Sequence, residues 1–533
     1  MALAQSREGN TSSTWGTSLI LGATCAALTE AVAGTAISIA RVDMMGGVHA
    51  GVDEFAKLDY GYTAAKLIGF AITPWLAGVF GMRTILVLAT SVMTIACGLM
   101  FSTTNLDYLV IVRLLQGLGG GVLLVSGQAL LFQIFAGRNQ PLVQTAFALG
   151  AVVAPATVAP FTHGWLLDNF AWSWIFGAIV PVGMVALLFL LLAGGDSEEA
   201  TPRRPFDFSG VVLFSIAAFA ITYVLNQGNR WDWFRDESIP VISVVGLIAI
   251  GLFVLHIFTS KAERKVLDFS IFRNGGFSFG LMASLAAGFA LLGSSYLIPA
   301  FSISVLKLTP TAAGTLLLPS TIMFAATLLF TAVLVRNAGM SPALTIPLGI
   351  LGLMTSMFML SGSTSGSGLP DMLPAVLIRG AALGFLFLSI TLITMMGLGK
   401  AMVVYGVALF NIGRQMGGLF GIAFLQTFVE DQTAQNRAIL AAHVIPGRWE
   451  VSGHVFAASR YLASRGLETG AAAKVAASML GKQVALQSTT IAFNSAFMAV
   501  CLFFLGAAPL LVVSKILIGR AIAAQTARSK VGN

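Results

Sequence analysis

Charge is the scarcest property of this sequence. Asp, Glu, Lys and Arg together make up 10% of the 533 residues, whereas a soluble domain carries about 25%. Hydrophobic residues make up 57%, and apolar runs of about 18–28 residues recur along the chain, each long enough to cross a bilayer about 30 Å thick. These features argue against a soluble domain and predict an all-α polytopic membrane protein. A membrane β-barrel would show segments of about ten residues with alternating hydropathy, which the sequence lacks.

Cysteine and catalytic motifs are also scarce. Cys25, Cys97 and Cys501 all lie inside apolar runs, so we expect no disulfide framework. No Walker A motif is present, which argues against ATP as the energy source. The histidines are scattered without metal-ligand spacing. We therefore expect no metal site, no cofactor and no enzymatic activity.

Hydropathy predicts about fourteen membrane spans. They are expected near residues 16–40, 60–81, 84–103, 107–135, 141–166, 171–193, 208–226, 239–258, 276–302, 310–335, 341–361, 371–397, 401–429 and 488–514. If the N-terminus is cytoplasmic, the short cytoplasmic loops hold about twice as many Lys and Arg residues as the external loops. We therefore expect both termini in the cytoplasm.

The long segment 430–487 is external in this topology. Stretches within it, such as VFAASRYLASRG and GAAAKVAASMLGKQVALQ, have helical spacing of their apolar residues. We expect a pair of short amphipathic helices against the outer face.

Glu30 is unusual because it lies inside an apolar run without other charge. A carboxylate at the centre of a span costs about 2.5–3.5 kcal/mol on insertion scales. It shares a four-residue spacing with small or polar residues, which places it on a helix face that packs closely on neighbours: Gly22, Ala26, Gly34 and Ser38. Two roles remain open: a carboxyl that loads and releases a proton, or a fixed ion pair, for example with Lys66 of the second span.

Three arginines also lie inside spans. Arg113, with Gln116 on the same face, could snorkel to the surface or tune the proton-carrying acid electrostatically. Arg414 lies about twelve residues into its span, too deep to snorkel easily, and is expected to line a cavity or to be paired. Arg379 lies at a depth similar to that of Arg113, and both roles remain open for it.

The fifth span is expected to be bent. Pro155 and Pro160 free backbone carbonyls within it, and Gly150 and Gly164 favour close packing. His163 lies near its outer end and is either a structural hydrogen-bonding residue or a proton relay.

The fourth and twelfth spans resemble each other. LVIVRLLQGLGGGVLLVS and PAVLIRGAALGFLFLSIT each place an arginine about six residues into the span, followed by a glycine-rich helix. Internal repeats of this kind are typical of secondary transporters.

Four motifs together resemble the major facilitator superfamily, and within it the fourteen-span drug:proton antiporters of the EmrB type. They are TEAVAGTAISIA in the first span, RLLQGLGGG in the fourth, APFTHGWLLDNFAWSWIFGAIVPVG in the fifth and beyond, and FNIGRQMGGLFG in the thirteenth. The last of these motifs places Asn411, Arg414 and Gln415 among the candidate cavity residues. The loop after the second span departs from the family pattern and keeps only Gly81 and Arg83 of the usual conformational motif.

The resemblance implies an N-terminal six-helix bundle over residues 1–193, a linker with two additional central spans over 194–275, a C-terminal six-helix bundle over 276–514 and a cytoplasmic tail over 515–533. It also implies proton-coupled efflux of hydrophobic or amphipathic compounds across a bacterial inner membrane by alternating access. Possible partners are a periplasmic adaptor of the EmrA type and an outer-membrane channel of the TolC type, without nucleic acid. The alternatives are an exporter of one metabolite, such as a siderophore or fatty acid, a channel, and a membrane-embedded enzyme.

Overall fold

The computed structural model describes the backbone of residues 2–135, 137–194, 205–260, 265–445 and 448–531. Within these ranges the regular structure is helical and no strand is present. The helices are α1 Ala2–Val48, α2 Val52–Phe80, α3 Met82–Phe101, α4 Leu106–Ile134, α5 Gln140–Ala148, α6 Ala154–Asn169, α7 Trp174–Gly177, α8 Ile179–Leu192, α9 Phe208–Gln227, α10 Ser238–Thr259, α11 Gly275–Ser304, α12 Pro310–Thr315, α13 Leu318–Asn337, α14 Thr345–Leu360, α15 Leu369–Met395, α16 Lys400–His443, α17 Trp449–Ser464 and α18 Thr469–Val531.

The number of spans agrees with the sequence. Thirteen helical segments of the described chain are long and apolar enough to cross a membrane. The span expected near 141–166 is divided among α5, a π-helical segment at Leu149–Val153 and α6, so none of these pieces reaches the length of a span alone. A π segment inside a helix marks a local irregularity and is frequent at functional sites. The bend expected in this span therefore has a structural counterpart directly before Pro155.

The segment 430–487 differs from the pair of short helices expected there. Helix α16 continues without interruption to His443, and α18 begins at Thr469 and runs into the final span. Only α17 is a separate short helix. The sequence prediction was wrong here because helical spacing does not distinguish an isolated helix from the extension of a membrane span.

Glycines allow α2 and α4 to pack with their backbones almost in contact. A Cβ atom on Gly117 would clash with the backbone carbonyl oxygen of Tyr62, and one on Gly121 would clash with that of Lys66. The glycine-rich run of α4 is thus a helix-packing surface, and it fixes Tyr62 and Lys66 beside the middle of α4.

Glycines also allow close backbone packing in the second half of the chain. A Cβ atom on Gly380 of α15 would clash with the carbonyl oxygen of Ser320 of α13, and one on Gly384 would lie 2.9 Å from that of Phe324. Each half therefore packs a glycine-containing, arginine-bearing helix against a neighbour, as the resemblance between the fourth and twelfth spans predicts.

The two additional spans, α9 and α10, pack on each other, and α9 packs on α2. The ring of Tyr60 on α2 meets Phe219 and Tyr223 of α9 edge-on, at centroid distances of 5.5 and 5.3 Å. Helix α9 also contacts α16, and α16 in turn contacts α2. The additional pair therefore lies where α2 from the first half meets α16 from the second half.

Replacing Gly121 by alanine should lower the thermal stability of the purified protein. The new methyl group must displace the backbone of α2, and overpacking of this kind costs about 1–3 kcal/mol. Gly251→Ala is the matched control, because Gly251 also lies inside a helix but has open space around it. The control should be neutral or slightly stabilising, since alanine favours helix by about 1 kcal/mol over glycine. Equal melting temperatures for the two variants would contradict the packing role.

Candidate functional site

Glu30 lies at the centre of a buried polar cluster. Its side chain is almost fully buried, and its Oε1 atom lies 2.5 Å from Nζ of Lys66. The Tyr62 hydroxyl donates a hydrogen bond of 2.6 Å to the same oxygen. Tyr62 and Lys66 are one helical turn apart on α2, so both reach Glu30 on α1 from the same face. The carboxylate is therefore both ion-paired and hydrogen-bonded, as a buried charge requires.

Two glycines provide the room for this carboxylate. A Cβ atom on Gly120 of α4 would lie 2.7 Å from Cγ of Glu30, and one on Gly34 of α1 would lie 3.1 Å from the Tyr62 hydroxyl. The face of small residues predicted on α1 thus points into the protein around Glu30, while Ser38 at its end is exposed.

Arg113 approaches the same cluster from α4. Its Nη1 atom donates to the Ala33 carbonyl at 3.1 Å and to Oε1 of Gln116 at 2.8 Å. Its guanidinium carbon lies 4.1 Å from the centroid of the Tyr62 ring, which is a cation–π distance. Arg113 is buried to 1% exposure, so it does not snorkel, and it contacts the group that donates to Glu30.

Sequence reasoning missed Tyr62 and Asp59. Asp59 pairs with Arg41 of α1, and it shares the Tyr62–Lys66 face of α2 at i, i+3 and i+7 spacing. Asp59 fell one residue outside the predicted second span, and a tyrosine in an apolar helix gives no distinct signal. The spacing of Asp59, Tyr62 and Lys66 along one face is the pattern that could have identified them.

A second polar group joins the two halves of the chain. Arg414 donates from Nη2 to Oδ1 of Asn411 at 2.6 Å, and Asn411 donates from Nδ2 to Oε1 of Gln128 on α4 at 3.0 Å. The Arg414 guanidinium carbon also lies 5.0 Å from the Phe387 ring centroid. No hydrogen bond to Gln415 is present among the described residues.

A small cavity opens beside Arg414. It has a volume of about 10 Å³, which is about the space for one water molecule. Its polar lining comes from both halves of the chain: Gln128, Gln144, Thr391 and Arg414. The Gln144 amide is buried and has no hydrogen-bond partner within the described part of the protein. This small cavity between the halves therefore retains unused hydrogen-bonding capacity.

Arg379 belongs to a different site. It donates to Ser294 at 2.8 Å, to Ser295 at 2.7 Å and to Ser320 at 3.1 Å. These serines lie on α11 and α13, so Arg379 connects three helices of the second half and is not grouped with Arg414. Its position relative to the sequence repeat matches that of Arg113, but no tyrosine or carboxylate is among its hydrogen-bond partners in the described chain.

The fifth-span residues are dispersed. His163 is buried, and neither ring nitrogen has a hydrogen-bond partner among the described residues. A Cβ atom on Gly164 would lie 3.7 Å from Oγ1 of Thr311, which shows that α6 and α12 approach closely. The side chains of Pro155 and Pro160 lie outside the described part of the structure.

Of the remaining motif residues, Gly81 lies between α2 and α3, and Arg83 lies in the first turn of α3. Gly81 has φ of +82°, a left-handed conformation that favours glycine. Arg83 donates from Nη2 to the Leu190 carbonyl at the end of α8, at 2.9 Å. These two residues therefore shape the short turn and attach it to the last helix of the first half.

The two halves also touch at both ends of the bundle. At the end opposite α17, Gln133 donates to the Lys400 carbonyl at 3.1 Å and Arg138 donates to the Arg336 carbonyl at 3.0 Å. The two halves are therefore in contact at both ends of the bundle.

At the α17 end, the α9–α10 loop connects the halves through contacts that we call the loop clasp. Arg230 binds both carboxylate oxygens of Asp53 on α2, at 2.6 and 3.1 Å. The clasp is completed by two contacts to α16: Asn229 to Glu430 at 2.8 Å and Trp233 Nε1 to Thr427 at 3.0 Å. The loop has positive φ angles at Asp232 and Trp233, which are uncommon for non-glycine residues. The additional helix pair thus bridges α2 and α16.

Helices long and apolar enough to span a membrane, buried charges on them and two similar halves in contact are typical of a polytopic membrane transporter. Residues 19–422 match the family model of the Major Facilitator Superfamily. The chain belongs to this family, and it is therefore a transporter and not an enzyme.

Relatives and solved structures agree with this assignment. The chain is 26% identical to the multidrug export protein EmrB of Haemophilus influenzae over 80% of its own length and 83% of the relative. It is 23% identical to the fatty acid resistance protein FarB of Neisseria gonorrhoeae over 85% of this chain and 87% of that one. The proton:xylose symporter XylE has a similar fold, with a TM-score of 0.53 and 13% identity over 92% of this chain and 95% of XylE.

Breaking the loop clasp should separate α2 from α16 at the α17 end. We expect Arg230→Ala to shift spin-label distances between cysteines placed at Val52 and Gln435, in a background without native cysteines, toward longer values. A half-exposed ion pair contributes about 0.2–1 kcal/mol, so the closed population should fall up to about fivefold.

The reversed pair Asp53→Arg with Arg230→Asp should restore the short distance. Arg235→Ala is the control, since Arg235 pairs with Asp232 inside the loop. An unchanged distance distribution in Arg230→Ala would rule out the clasp as a closing element.

Proposed function

We propose that this chain exports hydrophobic or amphipathic compounds across a bacterial inner membrane, driven by protons that move inward. The observation that carries the proposal is the buried carboxylate of Glu30 with its two α2 partners, Lys66 and Tyr62. The relatives named as multidrug export proteins support the direction and the broad substrate class.

Protonation of Glu30 would have a direct mechanical consequence. A neutral carboxyl no longer attracts the Lys66 ammonium, and the remaining cation would be buried without its counter-charge, which is strongly unfavourable. Lys66 must then move toward water or a new partner, and α2 moves with it relative to α1. The proton enters on Glu30 from outside and leaves inward when the ion pair forms again. In this proposal the ion pair is one state of the proton cycle, so the proton-carrier and ion-pair interpretations of Glu30 are combined.

Arg113 would act on this step through Tyr62. Tyr62 connects the guanidinium and the carboxylate. Its ring makes a cation–π contact with Arg113, and its hydroxyl donates a hydrogen bond to Glu30. The Arg113 guanidinium thus holds the ring whose hydroxyl donates to Glu30. Arg113 is therefore proposed as an electrostatic positioning residue and not as a substrate ligand.

Alternating access would open one end of the bundle at a time. In the domain division proposed from the sequence, residues 1–193 and 276–514 form the two moving bundles, and 194–275 carries the additional pair between them. Breaking the Gln133 and Arg138 contacts would open the end opposite α17, and breaking the loop clasp would open the α17 end. The candidate substrate surface is the central contact of Gln128, Asn411 and Arg414, which would widen when either end opens.

We further propose that both termini lie in the cytoplasm and that α17 is external. Helix α17 exposes large aromatic side chains, with exposures of 80% at Trp449, 63% at Phe456 and 60% at Tyr461. Exposed aromatic side chains are enriched at protein interfaces. They support contact with an EmrA-type periplasmic adaptor, which would lead to a TolC-type channel in a host with two membranes.

A second candidate is an exporter of one class of anionic amphiphile, such as a fatty acid. Three cationic side chains lie near the centre: Lys66, Arg113 and Arg414. Of these, Arg414 has no ion pair in the described part of the chain. A surplus of positive charge favours a carboxylate substrate. The relative named as a fatty acid resistance protein supports the same candidate.

Glu30→Gln should abolish uphill transport while binding persists. The amide resembles a permanently protonated carboxyl, so a pH gradient can no longer cycle it. In proteoliposomes with an imposed pH gradient, we expect export of a neutral hydrophobic dye to fall at least about tenfold, which corresponds to about 1.4 kcal/mol in activation free energy. Dye binding in detergent should remain close to the wild-type value.

Glu468→Gln is the matched control, because Glu468 is an exposed carboxylate between α17 and α18 and should not affect transport. Wild-type rates from Glu30→Gln would show that Glu30 only pairs with Lys66. Dye flux that is independent of the pH gradient in the wild type would instead favour a channel.

Arg414→Gln distinguishes the two substrate classes. The glutamine amide can still donate toward Asn411 but lacks the charge. If a carboxylate substrate binds at Arg414, its KM should rise about tenfold or more, since a hydrogen bond to a charged group contributes about 1.5–3 kcal/mol, while a neutral dye should be unaffected. Arg414→Lys should retain part of the fatty acid affinity. Equal effects on both substrates would remove the case for an anion-specific exporter.

A further inference from the structure

A large cavity lies away from the central contact. It is an open groove with a volume of about 650 Å³ between the α17-side parts of α11, α16 and α18. This volume is within the range of about 300–1,000 Å³ that is typical of small-molecule sites. None of the residues assigned above to the proton step or to the central substrate surface lines it.

The cavity has an apolar wall. Val429 of α16 and Phe493 of α18 are buried to 7% and 3% exposure, and Phe493 packs edge-on against Phe301 at 5.7 Å. Tyr296 and Ala300 of α11 extend this wall. The aromatic and aliphatic surface suits a hydrocarbon chain.

The opposite lining carries one charge of each sign. Glu430 and Arg437 line the cavity from α16, seven residues apart and therefore on one helix face, with about 10 Å between them along the helix axis. Arg437 has no ion pair in the described chain, and Glu430 uses only Oε2, which accepts from Asn229. A ligand with one anionic and one cationic group could therefore bind Arg437 and Glu430 at the same time.

The depth of the cavity suits a lipid headgroup. The apolar run of the thirteenth span ends near residue 429, whereas α16 continues to His443. The cavity begins at Val429, where the hydropathy of the thirteenth span predicts the edge of the hydrocarbon region.

We propose that this cavity binds a phospholipid with a zwitterionic phosphate–ammonium headgroup. Arg437 binds the phosphate, Glu430 accepts hydrogen bonds from the ammonium group, and an acyl chain lies against Val429 and Phe493. The site shares no residue with the cluster of Glu30, Lys66 and Tyr62, and its one residue in the loop clasp is Glu430, which accepts from Asn229.

Native mass spectrometry of the full chain in detergent tests the proposal, by titration with phosphatidylethanolamine, phosphatidylglycerol and lauric acid. We expect phosphatidylethanolamine to bind at least tenfold more tightly than either other probe. Arg437→Ala and Glu430→Gln should each weaken that binding about tenfold. The glutamine can still accept the hydrogen bond from Asn229, so the second variant removes charge and leaves the loop clasp. Arg460→Ala, which changes an exposed arginine of α17, is the control and should bind lipid normally.

Three results would overturn the site. Equal binding of phosphatidylglycerol would show that the ammonium group is not recognised. Preferential binding of lauric acid would identify an anion or substrate site. Unchanged affinity in both Arg437→Ala and Glu430→Gln, with unaltered melting temperatures, would place the bound lipid elsewhere. Transport activity does not enter these measurements, so failure of the lipid site and failure of the proposed export are distinguishable.

Discussion

The burial of one ion pair, Glu30 with Lys66, constrains the whole first half of the chain. Moving charges out of water costs several kcal/mol per ion, and their attraction offsets this only with close geometry and further hydrogen bonds. Tyr62 supplies such a bond, and the glycines of α4 let α2 approach until Tyr62 and Lys66 can reach α1. The glycine-rich sequence of the fourth span is thus needed for the electrostatics as much as for the packing.

The two halves repeat the packing but not the chemistry. Glycines bring α4 against α2 and α15 against α13, and each half has a buried arginine at a similar depth. Arg113 faces a tyrosine and, through it, a carboxylate, whereas Arg379 is satisfied by serines. The described part of the second half places no carboxylate beside Arg414 either. This asymmetry favours a proton step in the first half and substrate contacts near the boundary of the halves.

The sequence predicted most spans and the inward orientation of Glu30, because apolar runs and lone buried charges are strong local signals. Pairing with Lys66 was only one of the two roles that the sequence left open for Glu30. The sequence did not predict Tyr62, Gln128 or Gln144, since neutral polar side chains in apolar helices have no distinct periodicity. The loop clasp was also missed, because Asp53 and Arg230 are distant in sequence and each looks like an ordinary loop charge. The continuous extensions of α16 and α18 were missed for a related reason: charged residues at the end of a span indicate where the membrane ends but not where the helix ends.

Helix α2 connects the features that the proposed transport cycle must couple. It carries Asp53 of the loop clasp at its N-terminus, and Tyr62 and Lys66 two to four turns further along. A helix transmits displacement along its axis because its backbone hydrogen bonds make it stiff. A shift of α2 on protonation of Glu30 would therefore act directly on the Asp53–Arg230 contact. Opening of the clasp would in turn change the proton affinity of Glu30 by the same coupling free energy, since coupling between sites is reciprocal. The additional helix pair, which packs on α2 through Tyr60 and holds α16 through its loop, lies where such a displacement meets the second half of the chain.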